Sequence, residues 1–348
     1  MIKSLKLKNF RNFENKEFLF VNEKNFIIGN NGVGKTNTLE AISLIFQKNF
    51  LNKDVINLVN KDANFAFIEI EKDDGKKFSI SFDREKNAKK LFINGKATTG
   101  KKFIEILEKI IVFQPMDMNM MYLSPSLRRD FIDDILGSSF ETYSKINKEY
   151  KNIVKNRNKI LKNIKDGKAS KNEINFWDEV FLKKAVEIYK YREILNSFLS
   201  EKISILKELL NFKIKNIEYK YITKIDINDI ENSIKTYLTK NLDRDIIIGT
   251  TNIGPHIDDF DILLDGNSLI NFASRGETKS VILGLKILET KFIEKITGKE
   301  IIFLVDDLFS ELDEIHEKLL LNELGSKQII ITSIKANNSN NDNNIIYL

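Results

Sequence analysis

Cysteine is absent from the 348 residues. Disulfides and thiolate-held metals are therefore excluded, and a reducing, cytoplasmic setting is the natural expectation. Histidine occurs only twice, as His256 and His316, with no Cys or carboxylate cluster around either, so no imidazole-based metal centre is indicated. No apolar run approaches the roughly 18 residues that a membrane helix needs. The opening residues, MIKSLKLKNF, alternate charged and apolar positions without a signal core, so no membrane partner is expected. The net charge of +5 is too small to name a partner by itself. The single tryptophan, Trp177, lies amid Phe176, Val180 and Phe181 and reads as core.

What is present is a globular composition. With 42% hydrophobic and 30% charged residues, both a core and a well-solvated surface are available, and the length allows two or three domain-sized units. Residues 1–120 read mostly as strands and turns. Alternation marks 66–72 and 77–83, an Asn94-Gly95 pair marks a hairpin turn, and 109–115 reads as a buried strand ending at Pro115. Ser124-Pro125 then has the chemistry of a helix start. The pattern stays helical to about 211, with a break near KDGKAS at 165–170. Strands are expected again at 217–224 and 244–251, followed by a strand–helix–strand region holding IIFLVDD (301–307) and QIIITS (328–333). The tail NNSNNDNN reads as a solvated loop. A helical block thus interrupts a mixed α/β domain whose parts lie at both ends of the chain.

The chemistry starts at FIIGNNGVGKTNTLEAI, residues 26–42, where G-x-x-x-x-G-K-T joins an apolar run to a helical pattern. In that context Gly29, Asn30, Asn31, Gly32, Val33, Gly34, Lys35 and Thr36 can wrap backbone N–H groups around a phosphate at the helix's positive end. Lys35 would reach β- and γ-oxygens, and the Thr36 hydroxyl would hold Mg²⁺. At average glycine use the four fixed positions match by chance in about one such chain in a hundred, and the flanking strand and helix lower that further. A magnesium ion also needs an acidic partner at a strand end. Asp306 supplies it, and Asp307 stands where a base would orient an attacking water. Guanine-reading patterns exist in TKID (223–226) and DILG (134–137). The second falls inside a helical segment, however, and that reading leaves the paired aspartates unused.

FASRGETKSVILGLKIL places Ser274 and Gly276 before another apolar helix, a second anion-binding end. One chain has no evident use for two γ-phosphate sites, but a symmetric dimer does: each nucleotide would lie between one copy's loop and the other's serine-glycine turn. With these motifs in order, the chain resembles the ABC-type ATPase superfamily and, within it, the RecF family, over nearly its whole length. LKNFRNF (7–13), GNNGVGKTNTLEAI, SLRRDFID (126–133), GPHIDD (254–259), SRGETK and FLVDDLFSELD carry the resemblance. Glu277 stands where that family usually has glutamine, and Ile257 where a basic residue is common.

The resemblance implies an ABC-type head, a lobe I mixed sheet with a helical lobe II insertion. Its parts would be 1–120 (lobe I, phosphate loop), 121–285 (lobe II with the signature) and 286–348 (lobe I, acidic pair). It implies Arg11 among the ATP contacts, a trans signature of Ser274, Arg275 and Gly276, Asp313 in the D-loop, and Gln114 beside the metal. Thr332 or Ser333 is placed to sense the γ-phosphate. It further implies a weak DNA-dependent ATPase with ATP and Mg²⁺ as cofactors. This would be an ATP-dependent homodimer on DNA, acting in recombinational repair and replication with RecO- and RecR-like partners. The rival readings are an SMC-like chromosome-organising head, whose long arms the short helical block does not supply, and a transporter ATPase.

Charge is distributed unevenly. Residues 145–171 carry ten basic side chains against two acidic ones, which leaves the rest of the chain net negative. At 100° per residue, Lys148, Lys151, Lys155, Lys159 and Lys162 form one stripe, with Ile146, Tyr150, Ile153, Ile160 and Ile164 on the opposite face. Such a stripe suits the phosphate backbone of DNA without reading bases. His256 reads as a structural or interface residue of its turn.

Overall fold

The computed structural model describes residues 1–46, 55–209, 214–307, 322–325, 327–334 and 344–348. By internal contacts the chain forms two units, Met1–Asp117 with Gly298–Leu348, and Met118–Thr297. The helix Arg275–Thr297 is continuous, so the expected division at 285/286 falls within it, and the second unit runs to its end.

In the first unit, five parallel strands lie in the order Asn344–Tyr347, Lys24–Ile28, Ile329–Ser333, Ile301–Val305, Lys109–Phe113. Ile301–Val305 and Ile329–Ser333 are buried at every position. Parallel strands covered on both faces read as unbroken apolar runs, and this is why they were legible in the sequence. A six-stranded antiparallel sheet follows the order Phe13–Leu19, Ile2–Phe10, Phe65–Lys72, Lys77–Asp83, Ala88–Ile93, Lys96–Thr98. Its expected hairpin turns through Asn94 and Gly95, both with positive φ. One apolar core joins the two sheets, with Leu5, Phe10, Ile68 and Ile80 packed together with Ile302, Leu304 and Ile330. A buried amide pins them as well. Gln328 Nε2 donates to the carbonyls of Ile2 (2.6 Å) and Val21 (2.9 Å), while its Oε1 accepts from Ile2 N–H (2.8 Å).

The second unit contains the helices Pro125–Ser139, Tyr143–Lys165, Ile174–Lys202, Ile230–Ile248 and Arg275–Thr297, and a three-stranded antiparallel sheet. Ser124 caps the first helix by accepting from Ser126 N–H at 3.2 Å, with Pro125 at its first position.

Two expectations are corrected here. Residues 244–251 are not a strand: Asp245–Ile248 are the last turn of the helix Ile230–Ile248, which stops at Gly249 with φ 77°. A run of three isoleucines reads locally as β, but the glycine is a left-handed helix end, and the buried Asp245 holds the last turn in place. The second correction concerns the helix Tyr143–Lys165. It buries Tyr143, Tyr150, Val154, Arg157 and Leu161, whereas Ile146, Ile153, Ile160 and Ile164 are only half-buried. Arg157, one of the ten basic side chains of 145–171, is completely buried. Its Nε donates to Asp178 (2.7 Å), and its Nη1 donates to Asp245 (3.2 Å) and Thr251 Oγ1 (2.8 Å).

Candidate functional site

The phosphate loop leaves the strand Lys24–Ile28 and enters the helix Lys35–Ile45. Lys35 is nearly buried, and its ammonium donates to the carbonyls of Gly29 (2.6 Å) and Asn30 (2.9 Å), so the charge is held within the loop it belongs to. Gly34 has φ 112°, and a Cβ there would fall 2.6 Å from the Phe13 ring and 2.7 Å from the Asn12 amide. Glycine is required on both counts.

Parallel register then brings the distant parts together. The strand of Asp306 lies between that of Thr332 and that of Phe113. Thr36 Oγ1 lies 3.0 and 3.1 Å from the two Asp306 carboxylate oxygens, across 270 positions of sequence. Thr332 Oγ1 donates to Asp306 Oδ1 at 2.7 Å and accepts from Asp307 N–H at 3.0 Å. Burial raises the Asp306 pKa, against the hydrogen bonds from Thr332 and Thr36. A buried carboxylate and a hydroxyl in contact are hard oxygen donors in a place where a cation would be favoured. Magnesium takes one or two protein oxygens and completes its shell with water and phosphate. No cluster of three or more His, Cys, Asp or Glu able to hold a metal occurs among the described residues.

Gln114 follows the strand end at Phe113, whose carbonyl accepts from Asp306 N–H at 2.9 Å, so the backbone places Gln114 next to Asp306. Asp307 has φ 46° at the turn after the strand. Arg11, expected among the ATP contacts, is bonded to Glu40 and Asn57 in this structure. Its guanidinium makes a two-pronged pair with Glu40 (2.6 and 2.7 Å) in the phosphate-loop helix and donates to the Asn57 carbonyl (2.6 Å). The loop is touched by Asn12, which the sequence reading passed over although it lies inside LKNFRNF. The expected D-loop residue Asp313, and His316, lie outside the described residues.

In the second unit, Ser274 precedes the helix Arg275–Thr297, and Ser274, Arg275 and Gly276 are exposed. Glu277 Oε2 accepts from Ser274 N–H (2.8 Å) and Ser274 Oγ (2.7 Å), and Ser274 Oγ accepts from Glu277 N–H (3.3 Å). This is a reciprocal cap. DILG falls within the helix Pro125–Ser139, and TKID belongs to the same second unit, so neither guanine-like pattern shares a unit with the phosphate loop. Lys148, Lys151, Lys155, Lys159 and Lys162 are all exposed on one helix, with Lys151 3.2 Å from Asp133.

GPHIDD is a structural hub. Asp259 is held by both prongs of the buried Arg128 (2.6 and 2.7 Å), and Asp258 accepts from the hydroxyls of Tyr189 (2.8 Å) and Tyr221 (2.7 Å). His256 Nε2 faces the Thr251 carbonyl at 3.0 Å and must carry the proton, which leaves Nδ1 to accept from Tyr150 Oη at 2.6 Å. Burial, with Arg129, Arg192 and Arg157 nearby, pushes the His256 pKa down to about 4, so the ring is neutral near pH 7.

Comparison with known proteins bears on the same reading. A family model described as RecF/RecN/SMC N terminal domain matches residues 1–348. The DNA replication and repair protein RecF of Streptococcus gordonii is 33% identical over 349 residues, covering 95% of this chain and 93% of that protein. The same-named protein of Ruminiclostridium cellulolyticum is 31% identical over 345 residues, covering 95% and 92%. Among solved structures, the recombination mediator protein RecF-ATP in the RecFOR pathway superposes with TM-score 0.82 at 27% identity, covering 98% of this chain and 94% of that one. An Smc head bound to the C-winged helix domain of ScpA, at TM-score 0.53 and 17% identity, shares the fold alone. Matched by that family model along its whole length, and 31% and 33% identical to these relatives over 95% of it, the chain belongs to the RecF family.

Proposed function

We propose that this protein is an ATP-switched, sequence-independent DNA-binding ATPase of recombinational repair and replication, working with RecO- and RecR-like partners to load a recombinase. The observation that carries the reading is the convergence of Thr36 and Asp306 beside the loop of Lys35. Lys35 and the loop N–H groups would hold the triphosphate. Thr36 and Asp306, with Gln114 adjoining, would hold Mg²⁺, which when bound neutralises charge building on the phosphates. Asp307 would orient water for slow hydrolysis. Two copies associate when ATP is present, with Ser274 and Gly276 of one facing the nucleotide held by the other, and DNA lies on the lysine stripe.

Sedimentation velocity tests the dimer. With ATP and Mg²⁺ the protein is expected to sediment as a dimer, and Ser274→Arg is expected to keep nucleotide binding while staying monomeric. A Ser274→Arg variant that still dimerises rules out the shared site. For the DNA track, titrations across salt read the number of phosphate contacts directly. Replacing Lys155 and Lys159 by alanine should lower the slope of log affinity against log salt by about 2. An unchanged slope would place the track elsewhere.

A further inference from the structure

We propose that Asn12 is a positioning residue of the phosphate loop, an inference that rests on the nucleotide reading of that loop. Asn12 Nδ2 donates to the Val33 carbonyl at 2.8 Å, and its Oδ1 accepts from Asn37 Nδ2 at 2.8 Å. The two bonds fix the amide's orientation, because a flipped amide would set oxygen against oxygen and nitrogen against nitrogen. Val33 C=O and Gly34 N–H belong to one planar trans peptide and point in opposite directions. Fastening the carbonyl to Asn12 therefore turns the Gly34 N–H away from Asn12, and it fixes one member of the loop's set of donors. The bond to Asn37 ties the same side chain to the first turn of the helix, so loop and helix start are held by a single group.

The position of Asn12 is itself secured. Arg11 adopts φ 53°, an uncommon conformation for a residue with a Cβ, and its guanidinium is anchored on Glu40, which is 1% exposed. Asn12 also closes the space beside Gly34 to within 2.7 Å of where a Cβ would stand, so the glycine of the motif is demanded by this turn as well as by its own backbone angle. Asn12 touches no reacting atom in this arrangement. It acts through the peptide that binds phosphate.

The test is calorimetric titration of the full chain with Mg-ATP, alongside thermal melting of the nucleotide-free protein. Asn12→Ala should weaken ATP binding by about tenfold, the worth of roughly one hydrogen bond and its orienting effect. Asn12→Asp keeps the shape and the acceptor for Asn37, but sets a negative oxygen against the Val33 carbonyl beside an anion site. It should weaken binding more than alanine does, while the nucleotide-free melting midpoint stays near that of the parent. If the alanine variant fails to fold, the isosteric aspartate variant decides. ATP affinity within about twofold of the parent in the aspartate variant, or a lowered melting midpoint with unchanged affinity, overturns the proposal. Lys35→Ala separates the premises. If that variant also binds ATP normally, the nucleotide reading has failed; if it loses binding while Asn12→Asp does not, only the role of Asn12 has.

Discussion

Lys35→Ala is expected to weaken ATP binding by at least about a hundredfold, a loss of roughly 3 kcal/mol. The side chain is only 8% exposed, and its ammonium already lies within hydrogen-bonding distance of two loop carbonyls, so little ordering remains when a phosphate is bound. A charge in that partly desolvated place makes stronger bonds to phosphate than a solvated lysine does. The substitution should not disturb the fold. Alanine is a better helix former than lysine at the start of Lys35–Ile45, and the Thr38 N–H bond to the Gly34 carbonyl (3.0 Å) stays. Isothermal calorimetry with Mg-ATP measures the loss. Retention of affinity within a few-fold, with a normal melting curve, would mean that the loop is a structural turn.

The largest stability effect is expected far from any nucleotide chemistry, at Arg157. Its guanidinium is fully buried, bonded to Asp178, Asp245 and Thr251, and stacked over the Phe181 ring at 5.7 Å. Asp245 is fully buried too, so Arg157→Ala would strand a carboxylate in the interior. Removing one partner of a buried pair costs about 3–5 kcal/mol. For a unit of this size, that corresponds to a fall of roughly 10 °C or more in melting midpoint. Trp177 reports it directly, because the only tryptophan of the chain packs on Leu161, Ile174 and Ile246 in the same unit. Adding Asp245→Asn should return part of the loss, since it neutralises the stranded charge. A midpoint within about 2 °C of the parent for Arg157→Ala would show that water or rearrangement satisfies the network.

Features carried by neighbouring residues could be read from the sequence. GNNGVGKT reads as a phosphate loop because three glycines, at 29, 32 and 34, stand at fixed spacing before Lys35 and Thr36. IIFLVDD and QIIITS were recognisable as strands because both their faces are covered, which leaves unbroken apolar runs. Family resemblance followed from the same local motifs, in order.

Local patterns misled where a long-range partner outweighed them. Three isoleucines at 246–248 favour a strand in isolation, yet the ion pair to Asp245 and the glycine at 249 keep them helical. Arg157 is one of the ten basic side chains of 145–171, yet it is completely buried between Asp178 and Asp245, partners that lie 21 and 88 positions away.

The site is divided in the same way. Composition and spacing pointed to a loop suited to phosphate and to a carboxylate at a strand end. Only the tertiary structure decided that Thr36 meets Asp306 at 3.0 Å, that Thr332 Oγ1 donates to that carboxylate, and that Asn12 is bonded to the loop while Arg11 is paired with Glu40. The physical reason is register. A sequence states which groups are available, but parallel strand pairing sets which of them share one end of a sheet, and that pairing depends on contacts across hundreds of residues.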